Sequence, residues 1–253
     1  MPVLNLADAT WEEVRDLDRA RVVAILPTGA IEAHGPHLPL DTDVTIAVAM
    51  AEAGAALLSG RGLTAVLLPP LAYAPAAYAA SFPGTIGIAP ETLASLVVDV
   101  ATGVHRAGIG ALAIANAHFD PGQLGALHAA ADAIRERGLL AVAFPDVTRR
   151  PWGSRLTEEF RGGACHAGRY EGSIVLARSP ERVRDGIMAE LPANPVSLSR
   201  AIADGVDSFQ AAGGPRAYFG SPAEATAAEG METIELLGRI LEEAVVEALG
   251  LDD

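Results

Sequence analysis

Arg21-Val22-Val23-Ala24-Ile25-Leu26 is a short apolar run, and it leads into Gly29-Ala30-Ile31-Glu32-Ala33-His34-Gly35-Pro36-His37-Leu38-Pro39-Leu40-Asp41-Thr42-Asp43. With no polar residue on either face after Arg21, the run fits a strand buried on both sides. Beyond the loop, Val44–Ser59 continues in a helical pattern, so strand, polar loop and helix follow one another. The loop concentrates carboxylates and two imidazoles, and Pro36 and Pro39 restrict its backbone. Oxygen and imidazole donors of this kind suit Zn²⁺, Mn²⁺ or Fe²⁺ better than they suit an apolar core.

Outward from this stretch the same alternation recurs. Thr64–Leu68, Ala111–Ala115 and Leu139–Phe144 are short apolar runs, with helical patterns at Glu91–Ala107 and Gly122–Arg137. The first of these helices sets Leu93, Leu96, Val97, Val100 and Val104 at helical spacing and ends before Gly108, and the second stops at Gly138. Strand and helix in turn predict an α/β fold, a single-domain three-layer sandwich with a mostly parallel central sheet. Thr148 to Gly172 and Pro192 to about Ala225 read as irregular, polar stretches. Met231–Leu249 returns to a helix with Ile234, Leu237, Leu241, Val245 and Ala248 on one side. No linker is long enough to require a second domain, so residues 1–253 are read as one.

Composition narrows the function. Eighteen basic against 32 acidic residues give a net charge of −14 with no basic stripe, which argues against nucleic acid or an anionic membrane as partner. Cys165 is the only cysteine, which excludes an intrachain disulfide and a cysteine zinc ribbon. The first residues lack a basic start and a long apolar run, and Leu63–Ala80 is broken by Pro69, Pro70 and Pro75, so a soluble, cytoplasmic protein is expected.

In open α/β sheets ligands bind beyond the carboxyl ends of the strands. Two polar clusters stand there: Glu32, His34, His37, Asp41 and Asp43 after the first run, and Asn116-Ala117-His118-Phe119-Asp120 after the third. Glu32 and His34, like His118 and Asp120, are two apart, so in extended chain each pair points one way. Glu32, Asp43 and Asp120 bring three negative charges, which two divalent ions and a hydroxide balance better than one ion does.

The run GxxExHGPHLPLxTD, with NxHxD and His166-Ala167-Gly168…Glu171 further on, resembles the creatininase (creatinine amidohydrolase) family over most of the chain. The resemblance implies a sandwich-like α/β hydrolase of amide C–N bonds with two divalent ions per chain, Zn²⁺ and/or Mn²⁺ with Fe²⁺ possible. It also implies a homohexamer. It places Glu32, His34, Asp43, His118 and Asp120 on the metal-ligand positions, with Asp43 bridging and a hydroxide shared between the ions. It makes His166 the catalytic proton shuttle and Glu171 an active-site carboxylate. Trp152 resembles a tryptophan that closes over substrate, and Phe119 is a second substrate-binding candidate.

Several positions depart from creatininase. Asp120 stands in place of a Glu, Ala117 and Pro121 replace a Gly and an Asn, and Gly162 and Gly163 replace a Trp-Asp pair. The expected substrate is therefore a small cyclic or linear non-peptide amide other than creatinine. Within the same chemistry stand a formamide hydrolase and a mycofactocin-type peptidase. A metal-bound oligomeric binding protein without turnover is the rival from another class. His37 reads as a loop-packing histidine, and Arg149, Arg150 and Arg155 as a solvated loop with an anionic substrate as the alternative. Cys165 adjoins His166, but sequence neighbours rarely point together, so no thiol nucleophile is expected.

Overall fold

Strand β2 (Val22–Thr28) is buried at every residue, as its apolar run demands, and it lies at the centre of the sheet. The computed structural model describes residues 3–251, so Met1, Pro2, Asp252 and Asp253 of the expected domain lie outside it. Around β2 the chain forms β1 (Val3–Asn5), α1 (Trp11–Arg15), α2 (Thr42–Gly60), β3 (Thr64–Leu67), α3 (Pro90–Arg106), β4 (Ala111–Asn116), α4 (Pro121–Glu136) and β5 (Ala141–Ala143). The second half contributes helices α5 (Glu158–Gly162), α6 (Arg169–Arg178), α7 (Asp185–Met188), α8 (Leu198–Ala203) and α9 (Ala227–Leu249).

The sheet is parallel throughout, in the order β1-β3-β2-β4-β5. Its period-two alternation sorts side chains into two cores. Val23 and Ile25 of β2, with Ala111, Ala113 and Ala115 of β4, face the layer of α2, α6 and α9. Val22, Ala24 and Leu26, with Leu112 and Ile114, face α3 and α4. Each fully buried Ile or Leu contributes roughly 1.5–3 kcal/mol relative to exposure. This is the expected three-layer α/β sandwich.

Several elements differ from the sequence reading. β2 runs on through Pro27 to Thr28, because Pro27 lies one residue from the strand's end and its carbonyl still accepts from Leu71 N–H at 3.0 Å. β1 is a three-residue edge strand on β3, too short for a periodic signal. Helix α6 begins inside the stretch read as irregular; Gly172 and Ser173 weaken its propensity, while burial of Tyr170 and Ile174 compensates. Leu96, assigned to the inner face of α3, is 40 % exposed. α2 is long and apolar enough to cross a membrane, but half of it is buried inside the protein, as in a core helix.

The strand order reverses around β2. The chain leaves β2 for α2 on one face and reaches β4 from α3 on the other, so the loops after β2 and β4 diverge and open a crevice at the carboxyl edge. Both polar clusters of the sequence stand at that crevice.

Candidate metal centre

The loop after β2 is held by its own backbone. Glu32 N–H donates to Leu40 O at 2.9 Å, and Ala33 N–H donates to Thr85 Oγ1 at 3.1 Å, a tie with no signal in the sequence. Gly29 lets β2 run directly against the start of α2. A Cβ at Gly29 would lie 2.5 Å from Val44 N and 2.6 Å from the Asp43 carbonyl carbon. That contact sets Asp43, in the first turn of α2, beside Glu32 and His34. Gly29→Ala is expected to cost about 3 kcal/mol, because backbone rather than a yielding side chain must move. Chemical denaturation reads that loss, and a weakened metal affinity is expected with it.

Three buried histidines converge here, each pinned by a backbone carbonyl. His34 Nδ1 bonds Glu32 O at 3.1 Å, His118 Nε2 bonds Pro75 O at 2.7 Å, and His166 Nε2 bonds Ala33 O at 2.9 Å. A carbonyl can only accept, so those nitrogens carry the proton and the opposite ring nitrogens present lone pairs. The lone pairs face carboxylate oxygens. His34 Nε2 lies 3.0 Å from Asp43 Oδ1 and 3.5 Å from Glu171 Oε2. His118 Nδ1 lies 3.0 Å from Asp43 Oδ2 and 3.4 Å from Glu32 Oε1. His166 Nδ1 lies 3.7 Å from Glu32 Oε1. Acceptor against acceptor in a buried site calls for a cation between them.

The donors form overlapping groups whose atoms lie within 4.8 Å of one another: Glu32, Asp43 and His118; His34, Asp43 and Glu171; Glu32, His34 and His166. Asp43 is common to the first two, one of its oxygens toward each. Its Oδ2 is buried, with His118 Nδ1 3.0 Å away.

Protons fill the gap in the protein alone. Burial presses the His34 imidazole down, but Asp43, Glu171 and Glu32 outweigh it and hold its pKa at about 10. Burial is likewise overcome at His118, which Glu32 and Asp43 keep well above its ordinary value. Burial disfavours the Asp43 carboxylate, yet His34 and His118 hold its pKa below the usual range. Burial pushes Glu171 up to about 8, and the charges of Asp43 and Glu32 add to it against the pull of His34. His166 goes the other way, pressed to about 4 by burial and by His34.

Asp120 and Trp152 stand apart from the donor groups. Asp120 belongs to none of the donor groups: its carboxylate caps α4 on Gly122 N–H at 2.7 Å and accepts from Ala77 N–H at 3.0 Å and Tyr78 N–H at 3.5 Å. The Pro121-Gly122 that follows makes it a helix N-cap, a signal present in the sequence. Glu171 stands in the donor set instead, carried there by α6, with Ala167 N–H on its Oε2 at 2.6 Å. Ala167 holds a left-handed φ of 51°, a conformation costing roughly 1–2 kcal/mol for a residue with a Cβ. Trp152 does not line the cavity; it is half-buried against the core, with the Arg155 guanidinium 5.9 Å from its ring centroid.

Other candidates fall into place. Phe119 lines the cavity, edge-on to Phe160 with centroids 5.5 Å apart. His37 is buried outside the donor groups, edge-on to Tyr218 at 6.4 Å. Burial pushes the Cys165 thiol up to about 12, which leaves it a poor nucleophile. The cavity, about 560 Å³, has Glu32, His118, His166 and Glu171 at its floor and Phe119, Phe160 and Phe209 in its walls.

The sequence profile of the creatininase family, described as creatinine amidohydrolase, matches residues 7–245. The mycofactocin precursor peptide peptidase of Mycobacterium ulcerans is 36% identical over 216 residues, covering 81% of this chain and 77% of the relative. The creatinine amidohydrolase of Pseudomonas putida is 27% identical over 198 residues, covering 70% and 73%. The solved structure "Creatininase Mn" superposes with a TM-score of 0.74 at 22% identity, covering 97% of this chain and 98% of that one.

Proposed function

The chain belongs to the creatininase family, and we propose that it is a metal-dependent amidohydrolase in which Asp43 would be a donor shared by two divalent ions. The observation that carries the reading is the set of three pinned histidines whose free lone pairs all face carboxylates. Glu32 and His118 would hold one ion, and His34 and Glu171 the other. Three carboxylates against two divalent ions leave the site electropositive, and the set of oxygen and nitrogen donors suits Zn²⁺, Mn²⁺ or Fe²⁺. When bound, the ions supply an easily deprotonated water and an electrophilic place for an amide carbonyl.

The chain's own groups supply the rest. His166, kept neutral by its depressed pKa, has Nδ1 free to take a proton from the attacking water and return it to the leaving nitrogen. Ala33 O fixes the ring so that only Nδ1 can act. Phe119, Phe160 and Phe209 give the cavity an apolar part of its lining. Glu171, read from the sequence as an active-site carboxylate, would serve as a donor to an ion.

The substrate we favour is an amide bond in a short peptide, in place of the non-peptide amide expected from sequence. The relative at 36% identity, named a peptidase of a precursor peptide, supports this, and a cavity of about 560 Å³ has the size of sites for small ligands. A homo-oligomer, with the hexamer as the family's form, and a cytoplasmic location complete the proposal; light scattering checks the first. Creatinine, N-formyl amino acids and short peptides, offered to protein purified without chelator, test the function. Peptide cleavage that a chelator abolishes supports it. Inactivity on all three, with a tightly retained small molecule, would favour the binding-protein reading.

The pKa shifts carry a pH prediction. His34, raised in the folded chain from 6.5 to about 10, binds its proton more tightly folded than unfolded. That contribution to stability is complete below about pH 6.5 and is lost as the pH rises toward 10. Glu171, raised from 4.5 to about 8, acts in the same sense. Chelated protein is therefore expected to lose thermal stability between about pH 7 and 9, a loss that added Zn²⁺ or Mn²⁺ suppresses. Binding of those ions in the same window is expected to release protons, measurable as a buffer-dependent heat in calorimetry.

A further inference from the structure

We propose that the guanidinium groups of Arg150 and Arg161, at the mouth of the cavity, hold an anionic group of the substrate, a carboxylate or a phosphate. The inference rests on the cavity being the substrate site. Both arginines line it and both are exposed, whereas the carboxylates that line it are buried.

The structure divides the arginines of this region by what they already hold. Arg155 is paired through two hydrogen bonds, at 2.5 and 2.8 Å, with Glu243. Arg149 lies 3.0 Å from Asp146. The guanidinium groups of Arg150 and Arg161 have no carboxylate or hydrogen-bond partner among the described residues. Nor can the cavity supply one, because Glu32 and Glu171 face the histidines and Asp120 is bound to backbone N–H groups. In a chain with a net charge of −14, two cations that line one cavity and have no partner among the described residues mark a place where negative charge is wanted.

Both are carried on anchored backbone. Asp146 is buried and accepts from Thr148 N–H at 3.0 Å, Thr148 Oγ1–H at 2.5 Å and His128 Nε2–H at 2.8 Å, which fixes the loop entering Arg150. Arg161 follows Phe160, a buried ring packed on Phe119 and Tyr170. Guanidinium is the side chain suited to carboxylate and phosphate, offering paired N–H donors to paired oxygens.

The test measures equilibrium binding to the full chain, with its metal and after chelation, so that attraction to the ions is separated from attraction to the arginines. The probes are N-acetyl-phenylalanine, its uncharged carboxamide, and phenyl phosphate. The charged probes should bind on the order of tenfold more tightly than the carboxamide in both preparations. In the chelated protein that preference should vanish in the Arg150→Gln/Arg161→Gln double variant. Whichever of the carboxylate and the phosphate binds more tightly identifies the source of the charge. Equal binding of all three probes to the unaltered chelated chain would overturn the proposal, as would a preference that survives in the chelated variant. Peptide turnover on the same preparations is scored separately. A lost preference with no turnover in either protein would sustain the anion site and remove the enzyme.

Discussion

Replacing Asp43 by Asn is expected to empty both halves of the centre at once. Asp43 is the one carboxylate shared by the Glu32–His118 and His34–Glu171 groups, with Oδ1 3.0 Å from His34 and Oδ2 3.0 Å from His118. An amide of the same shape keeps the packing but offers one weak acceptor and a donor, which would point at a histidine lone pair or at a cation. Losing an outer hydrogen-bond partner of a metal ligand costs about 10–100-fold in affinity, so losing the shared ligand should cost more than about 100-fold. Activity should fall by about 10³-fold, because bound ions contribute several kcal/mol of charge stabilisation. Metal analysis after gel filtration and amide turnover read the two effects. Full metal content in Asp43→Asn would remove the bridging role.

His166→Ala is expected to separate chemistry from metal binding. Here kcat should fall by about 10²–10⁴-fold, the usual range for a lost general acid or base, with metal content and KM little changed. The folded protein should lose about 1 kcal/mol as Ala33 O gives up its ring N–H partner. His166 Nδ1 also lies within the Glu32–His34–His166 group, so the alternative role is specific. Metal lost in parallel with activity would make His166 a ligand, and unchanged turnover would remove it from the mechanism.

Much of this was legible in the chain because the deciding signals are local. β2 announces itself by having no polar face, the alternation of strands and helices implies parallel pairing, and the loop from Glu32 to Asp43 lies between two elements that each read clearly. Glu32 and His34, two apart, do converge on one site, and Asp43 joins them through the close approach at Gly29. What the sequence shows less plainly is non-local or ambiguous. Spacing alone made Asp120 equal to His118, and only the Pro-Gly after it shows that its carboxylate turns back to cap α4. Glu171 sits near the floor because α6 packs against α2 and α9, a tertiary fact with no period in the sequence. Arg161 carries no local signal for the same reason, since nothing in the sequence ties α5 to the loop of Arg150. Trp152 shows the converse: a residue type suited to a lid is spent on packing.

A two-ion centre divided by Asp43 underlies the proposed chemistry. Crystals of protein prepared without chelator, measured at the zinc and manganese absorption edges, would locate the ions. Two anomalous peaks are expected about 3.5–4 Å apart on either side of Asp43, one held by Glu32 and His118 and the other by His34 and Glu171. No peak, or a single ion that leaves Asp43 bound on one side only, would contradict it.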